Sequence, residues 1–158
     1  MTVTKECKNI IRLTPPYTPT YMSPAHNVCS IYATAVDEKL YSRQLYVMGH
    51  EAQRRMMASA ALVVGASGLG VEIAKNCILA GIHSLTICDP TPANWFDLGG
   101  NFYLSPETIG KPRAETCKDQ LAQLNPYVHV QCAPVSDLSV DALLPLIDGM
   151  TVVVAPEE

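Results

Sequence analysis

The chain has 158 residues, of which 48% are hydrophobic. A chain of this length and composition can form the buried core of about one domain, which excludes disorder across the whole chain. Its formal net charge of −4 does not provide the basic surface that binds nucleic acids or anionic membranes, so we expect neither as a partner. The sequence has neither a run of about 18 apolar residues nor a signal-peptide pattern, and we expect a cytoplasmic and nuclear location.

Along the chain, helical and strand patterns alternate after a proline-rich beginning. Residues 1–36 have no apolar period, and we predict a flexible, mobile tail. From Asp37, apolar residues recur at helical spacing and predict an amphipathic helix that is interrupted at Gly49. Strands are then predicted over 60–65, 84–88, 127–132 and 151–155, and helices over 69–80, 111–124 and 137–147. This alternation predicts the α/β class, with a Rossmann-like parallel sheet and flanking helices, truncated after about four strands.

Two of the predicted strands consist of near-continuous apolar runs. These are Ala61-Leu62-Val63-Val64 and Val152-Val153-Val154. Strands that are buried on both faces of a parallel sheet have this composition. We therefore expect both strands to lie centrally.

The first predicted strand leads into a glycine turn formed by Gly65, Gly68 and Gly70. Such turns bind nucleotides because glycines let backbone N–H groups approach a phosphate at a helix N-terminus. Ser67 lies where the usual pattern has another glycine, and its side chain would come close to a phosphate oxygen. The sequence therefore predicts a nucleotide site in outline, altered at one decisive position.

Asp89 closes the second predicted strand, at a position where an acidic side chain accepts hydrogen bonds from ribose hydroxyls. With the glycine turn, it leaves a dehydrogenase, a methyltransferase and an ATP-using adenylating enzyme open. The plain alternative is a turn residue at the strand end, followed by Pro90.

The loop after this strand contains four aromatic residues, Trp95, Phe96, Phe102 and Tyr103. They could form a surface for a partner. Aromatic residues in a long crossover loop usually pack on their own sheet, however, and we favour that interpretation.

Cysteines and histidines do not indicate a metal site or a nucleophile. The six cysteines, at positions 7, 29, 77, 88, 117 and 132, never show C-x-x-C spacing, and we predict scattered reduced thiols. The four histidines are isolated in the sequence, so none is indicated as the base beside a nucleophile.

Several motifs follow one another in order along the chain. They begin with YSRQLYVMGHEA at residues 41–52 and GASGLGVEIAKN at residues 65–76. The first resembles the leading helix of the ubiquitin-activating enzymes, the E1 class, and the second follows at the spacing of that family. Residues 95–104, 109–115 and 124–130 continue the resemblance, which covers about residues 40 to 155. The resemblance implies a partial ThiF/MoeB-type domain over 37–158, corresponding to the first, non-catalytic adenylation half of these enzymes.

The resemblance also implies that the nucleotide site is vestigial. In the catalytic half, two aspartates, an asparagine, an arginine and a lysine serve the site, and a glutamine follows the arginine in the motif. This chain keeps the first aspartate as Asp89. The other positions are occupied by Thr91, Asp97, Gly100, Asn101 and Arg113. The loss of complementary charge implies that Gly65, Gly68, Gly70 and Asp89 no longer bind a cofactor. The chain alone is then expected to be inactive, with Mg·ATP bound in the partner half.

One residue keeps a catalytic role under the resemblance. Arg43 lies in the Tyr-Ser-Arg-Gln segment, whose arginine reaches across a pseudo-twofold interface into the partner half's ATP site. The implied partners are an active adenylation domain, of the same or a companion chain, and ubiquitin or a ubiquitin-like modifier through the full enzyme. The alternative for Arg43 is a solvated charge. The alternative for the chain is a nucleotide-binding enzyme that adenylates a small sulfur carrier or uses NAD.

Overall fold

A computed structural model describes residues 35–156, so almost all of the predicted tail over 1–36 lies outside the described residues. Within the described part, the helices and strands are α1 (Ser42–Met57), β1 (Ala60–Val64), α2 (Gly68–Ala80), β2 (Ser84–Cys88), α3 (Arg113–Ala122), β3 (His129–Cys132), α4 (Val140–Ile147) and β4 (Val152–Val154). Two short 3-10 helices, Asp97–Gly99 and Pro106–Thr108, lie in the loop between β2 and α3.

The four strands form one parallel sheet in the order β3-β2-β1-β4. The predicted α/β fold, with a parallel sheet and flanking helices, is confirmed. β1 is central and buried from Ala61 to Val64. β4 pairs only with β1 among the described strands, and its three valines are half-buried, so the predicted central position of Val152–Val154 is wrong for residues 35–156.

The observed α3, β3 and α4 begin two or three residues later than predicted, because turn and capping residues precede each of them. Pro112 occupies the residue before α3. Asn125 holds the turn before β3 by accepting a hydrogen bond from the Tyr127 N–H. Ser139 caps α4, its hydroxyl accepting a hydrogen bond from the Ala142 N–H.

The two faces of the sheet are covered by different helices. Helices α2 and α3 pack on one face, where the core consists mainly of Val63, Val71, Ala74, Ile78, Leu85, Ile87, Cys117 and Leu121. Helix α4 packs on the other face, with Leu143 and Leu146 near Leu62 and Val64. Each fully buried leucine or isoleucine contributes about 1.5–3 kcal/mol to the stability of the fold.

Helix α1 is attached to the rest of the fold by few residues. Gly49 has φ 78° and ψ 169°, which interrupts the helix as predicted. Gln53 is the one residue of α1 that is fully buried. Tyr46 is 92% exposed and Val47 is 80% exposed, so much of the apolar surface of this helix faces solvent.

The glycine turn is built by close backbone contact. Gly65 has φ +99°, a left-handed conformation that favours glycine. A Cβ atom on Gly70 would lie 2.1 Å from the carbonyl oxygen of Gly65. The first turn of α2 can therefore approach the end of β1 only because residue 70 has no side chain.

We expect Gly70→Ala to lower the free energy of unfolding by about 1–3 kcal/mol or more, because backbone atoms must move to admit the methyl group. Urea denaturation of the full chain measures this change. Gly99→Ala is the matched control, since no atom lies within 4 Å of its Cβ position, and its effect should stay within about 0.5 kcal/mol. Equal stability of the two variants would contradict the close packing of the turn.

Candidate functional site

The carboxyl ends of β1 and β2 bring the predicted site residues together. Asp89 follows β2, and its Oδ2 accepts a hydrogen bond of 2.7 Å from the backbone N–H of Ala66 in the glycine turn. Its Oδ1 accepts a hydrogen bond of 2.8 Å from the Thr91 N–H. The acidic side chain therefore binds the turn of its own chain, through an N–H group of the kind that binds phosphate in nucleotide sites.

An ion pair with Arg113 completes the surroundings of Asp89. The Arg113 Nε atom lies 2.9 Å from Asp89 Oδ2, and the Arg113 Nη1 atom lies 3.2 Å from Asp97 Oδ1. The side chain of Asp89 is 0% exposed and that of Arg113 is 5% exposed. Asp97 Oδ2 also accepts a hydrogen bond of 2.8 Å from the Asn94 N–H. We call Asp89, Asp97 and Arg113 the charged triad.

The hydrogen bonds keep Asp89 ionised. Burial is the largest single influence on its pKa and acts to raise it, because a charged carboxylate loses its hydration. Hydrogen bonds from Ala66, Thr91 and Arg113 together outweigh burial, and the pKa of Asp89 lies below its ordinary value. Its negative charge is thus matched within the chain.

The loop over residues 97–101 covers the glycine turn. Asn101 is 1% exposed, and its Nδ2 donates a hydrogen bond of 3.0 Å to the carbonyl of Ala66. Its Oδ1 accepts one of 3.0 Å from the Tyr103 N–H. A Cβ atom on Gly68 would lie 2.7 Å from the carbonyl oxygen of Gly100. The backbone of this loop therefore lies directly against the start of α2.

Three of the four aromatic residues in the loop between β2 and α3 are exposed, which differs from the prediction. Tyr103 is 8% exposed and packs in the core beside α2 and α3, as predicted. Trp95, Phe96 and Phe102 are 67%, 93% and 89% exposed, so the prediction that they pack on the sheet is wrong. The adjacent face of the sheet is already covered by α2 and α3, which leaves these three rings on the outside.

The cysteines of the described part are free thiols with little tendency to ionise. They are Cys77, Cys88, Cys117 and Cys132. Burial raises the pKa of each, to about 11 for Cys132, so their thiolate forms are scarce at neutral pH.

Residues 35–156 contain no group of three histidine, cysteine or acidic residues placed to hold a metal ion. Nor does any helix in this range have the length and apolar character needed to cross a membrane.

Arg43 lies near the amino-terminal ends of the strands, whereas the glycine turn lies at their carboxyl ends. It is in the first turn of α1, two residues after Tyr41, which contacts Gly81 and Asn125 just before β2 and β3. A five-residue strand such as β1 spans roughly 16 Å between its two ends. Arg43 is exposed and forms no ion pair with the residues that the structure describes.

The charged triad was not anticipated from the sequence as an interaction. The resemblance matches Asp89, Asp97 and Arg113 one by one to positions of a catalytic site and does not indicate that they contact one another. A signal was present, because Arg113 replaces a lysine while Asp97 adds a negative charge in the same loop region. The pairing itself depends on α3 beginning beside the end of β2.

Comparison with known proteins supports the resemblance to ubiquitin-activating enzymes. The profile of the ThiF family matches residues 41–155. The chain is 57% identical over 95 residues to ubiquitin-like modifier-activating enzyme 1 of Homo sapiens, covering 60% of this chain and 9% of that protein. It is 47% identical over 122 residues to ubiquitin-activating enzyme E1 1 of Schizosaccharomyces pombe, covering 77% of this chain and 12% of that protein. The chain thus spans only 9% and 12% of the length of these relatives.

The fold is shared with more distant proteins of known structure. The E. coli tRNA N6-threonylcarbamoyladenosine dehydratase in complex with ATP superposes with a TM-score of 0.69 at 19% identity. The match covers 79% of this chain and 52% of the other. At this identity the likeness concerns the fold alone. With the family profile matching 41–155, the chain belongs to the ThiF family.

Proposed function

We propose that the chain is the non-catalytic adenylation half of an enzyme that activates ubiquitin or a ubiquitin-like modifier with ATP. In this role it assembles with an active adenylation half and contributes Arg43 to the ATP site of that half. The observation that carries the proposal is the charged triad, in which the groups expected to serve a nucleotide bind one another instead. Family membership and the two relatives named as activating enzymes supply the reaction class.

The charged side chains beside the glycine turn do not fit a nucleotide. Asp89 has a fully buried side chain, with hydrogen bonds to Ala66, Thr91 and Arg113, so a ribose hydroxyl would have to displace an existing partner. Asp97 would repel a triphosphate, and the positive charge of Arg113 is already neutralised by two carboxylates. Attack of a carboxylate on the α-phosphate needs uncompensated positive charge at the site. We therefore place the reaction in the partner half.

The position of Arg43 supports action on a site other than the chain's own. The glycine turn and Asp89 lie at the carboxyl edge of the sheet, whereas α1 is attached at the amino-terminal edge by Tyr41 and Gln53. An arginine suits a phosphate because its planar guanidinium can donate two parallel hydrogen bonds to it. Arg43, without an ion pair in the described part of the chain, is available for such a contact.

The surface next to Arg43 is suited to a protein partner. Residues three and four positions apart lie on one side of a helix, so Tyr46 and Val47 lie on the same side as Arg43. Both apolar side chains are more than three-quarters exposed, at 92% and 80%. A partner that covers them would bury apolar surface and bring its own bound nucleotide towards Arg43.

We expect no saturable heat when the full chain is titrated calorimetrically with Mg·ATP or with NAD, because the charged triad and the backbone of Gly100 occupy the site. An active adenylation domain of the same family serves as the positive control for ATP. Saturable ATP binding would contradict a degenerate site and favour an adenylating enzyme. Saturable NAD binding would instead favour the dinucleotide-using alternative.

Removal of the cation of the triad should destabilise the chain in a pH-dependent way. Arg113→Ala removes the cation from two largely buried carboxylates and should cost about 3–5 kcal/mol of unfolding free energy at pH 7. The lowered pKa of Asp89 means that its stabilising contribution exists above the unfolded-state pKa, about 3.9, and is lost as pH falls through the folded-state value. The difference between wild type and variant should therefore shrink towards acidic pH.

Urea denaturation at pH 7 and at acidic pH measures this difference. Lys111→Ala removes an exposed charge close in the sequence and should change stability by less than about 0.5 kcal/mol at either pH. Asp97→Asn, which leaves the Asp89–Arg113 pair intact, should cost less than Arg113→Ala. A difference that is independent of pH would show that the triad does not stabilise the fold through its charges.

The role of Arg43 is tested in the complex of this chain with an active adenylation half. We expect Arg43→Ala to lower ubiquitin-dependent exchange of pyrophosphate into ATP by about 100-fold, the effect of losing one stabilising donor at a reacting group. Arg54→Ala is the control, since Arg54 is an exposed arginine near the other end of α1. If the two variants exchange pyrophosphate equally well, Arg43 is a solvated charge.

A further inference from the structure

A buried contact between three segments fixes the beginning of α1. The hydroxyl of Tyr41, the residue before the helix, accepts a hydrogen bond of 2.9 Å from Asn125 Nδ2. The same Nδ2 group donates a second hydrogen bond of 2.9 Å to the carbonyl of Ile78 near the end of α2. Tyr41 and Asn125 are each 3% exposed. We call Tyr41, Gly81 and Asn125 the tyrosine anchor.

Gly81 makes room for this contact. It follows α2 with φ +80°, a left-handed conformation that ends the helix. A Cβ atom at this position would lie 2.5 Å from the Tyr41 hydroxyl oxygen and 2.7 Å from two ring carbons. Any side chain at residue 81 must therefore displace the Tyr41 ring.

A second contact holds the chain just before the anchor. Asp37 Oδ1 accepts hydrogen bonds from the N–H groups of Lys39 and Leu40, which closes the turn leading to Tyr41. Asp37 Oδ2 accepts a hydrogen bond of 3.0 Å from the Tyr127 hydroxyl. The chain on the amino-terminal side of Tyr41 is thus tied to the same turn that contains Asn125.

The other attachment of α1 reaches the same place. Gln53, the buried residue of this helix, donates a hydrogen bond of 3.1 Å from Nε2 to the carbonyl of Ala80, the last residue of α2. Between Tyr41 and Gln53 the helix is interrupted at Gly49. The segment from residue 42 to residue 48, which contains Arg43, therefore starts at the tyrosine anchor and is separated from Gln53 by the break at Gly49.

We propose that Tyr41, Gly81 and Asn125 are positioning residues for Arg43 and set where its guanidinium meets the nucleotide of the partner half. This inference rests on the proposed function of Arg43. Arg43 has no ion pair in residues 35–156 that would orient its side chain, so its reach is determined by the backbone two residues after Tyr41. A shift of about 1 Å at a reacting group can cost about 100-fold in rate.

The first test compares two glycines of the same backbone conformation. Gly81→Ala displaces Tyr41, whereas Gly149→Ala, at φ +79° with no atom within 4 Å of its Cβ position, introduces similar backbone strain far from the anchor in the sequence. In the complex with the active half, we expect Gly81→Ala to lower ubiquitin-dependent pyrophosphate exchange about 10- to 100-fold per assembled complex. Gly149→Ala should exchange at the rate of the unchanged chain.

The second test separates positioning from general damage. Tyr41→Phe removes only the hydroxyl that Asn125 contacts and provides a milder variant if Gly81→Ala does not fold. Each change is combined with Arg43→Ala. If the anchor acts through Arg43, it should have little further effect once the guanidinium is gone, so the combined loss equals that of Arg43→Ala alone.

The outcomes distinguish the two proposals. An unchanged rate for Tyr41→Phe and for any folded Gly81→Ala, while Arg43→Ala is impaired, overturns the positioning role and leaves the function of Arg43 intact. Losses that multiply in the combined variants also overturn it, because they indicate a structural effect independent of Arg43. An unimpaired Arg43→Ala overturns the proposed role of Arg43 in the partner's ATP site and the positioning role with it.

Discussion

The buried ion pair between Asp89 and Arg113 joins three segments at the carboxyl ends of β1 and β2. Asp89 lies at the end of β2, Arg113 at the start of α3, and Ala66, whose N–H binds Asp89, in the turn between β1 and α2. A buried ion pair gains little over well-packed apolar residues, but removal of one partner is costly because the other charge remains. The three segments are therefore held together through one carboxylate, which pairs with Arg113 and accepts a hydrogen bond from Ala66. The turn keeps the shape of a nucleotide site through an internal carboxylate.

The carboxyl and amino-terminal ends of the strands have separate roles in the proposed function. At the carboxyl ends of the strands, the charged triad and the loop over residues 97–101 lie against the glycine turn and the start of α2. At the amino-terminal ends, the tyrosine anchor presents the first turn of α1 with its exposed arginine. Under this proposal, the carboxyl ends of the strands carry out no chemistry, while the amino-terminal ends remain suited to a partner.

The sequence predicts the fold better than it predicts the site. Apolar runs and glycine positions report local conformation, so the parallel sheet, the turn at Gly65 and the break at Gly49 were all predicted correctly. An apolar run shows that a strand is buried but not which neighbours it has, and the sequence therefore did not predict that β4 has a single neighbour within residues 35–156. The exposure of Phe96 and Phe102 depends on α2 and α3 having already covered the sheet face. Likewise, the pairing of Arg113 with two aspartates depends on where a helix begins in space.

The break at Gly49 has an electrostatic consequence for the start of α1. Aligned peptide dipoles place partial positive charge at a helix N-terminus, and acidic residues in the first turn usually offset it. The first turn of α1 contains no acidic residue and carries Arg43, so its side-chain charge and the dipole have the same sign. Because Gly49 limits the uninterrupted helix to residues 42–48, only a short row of dipoles adds to this repulsion. An anion that approaches Arg43 would therefore meet positive charge from both the guanidinium and the helix N-terminus.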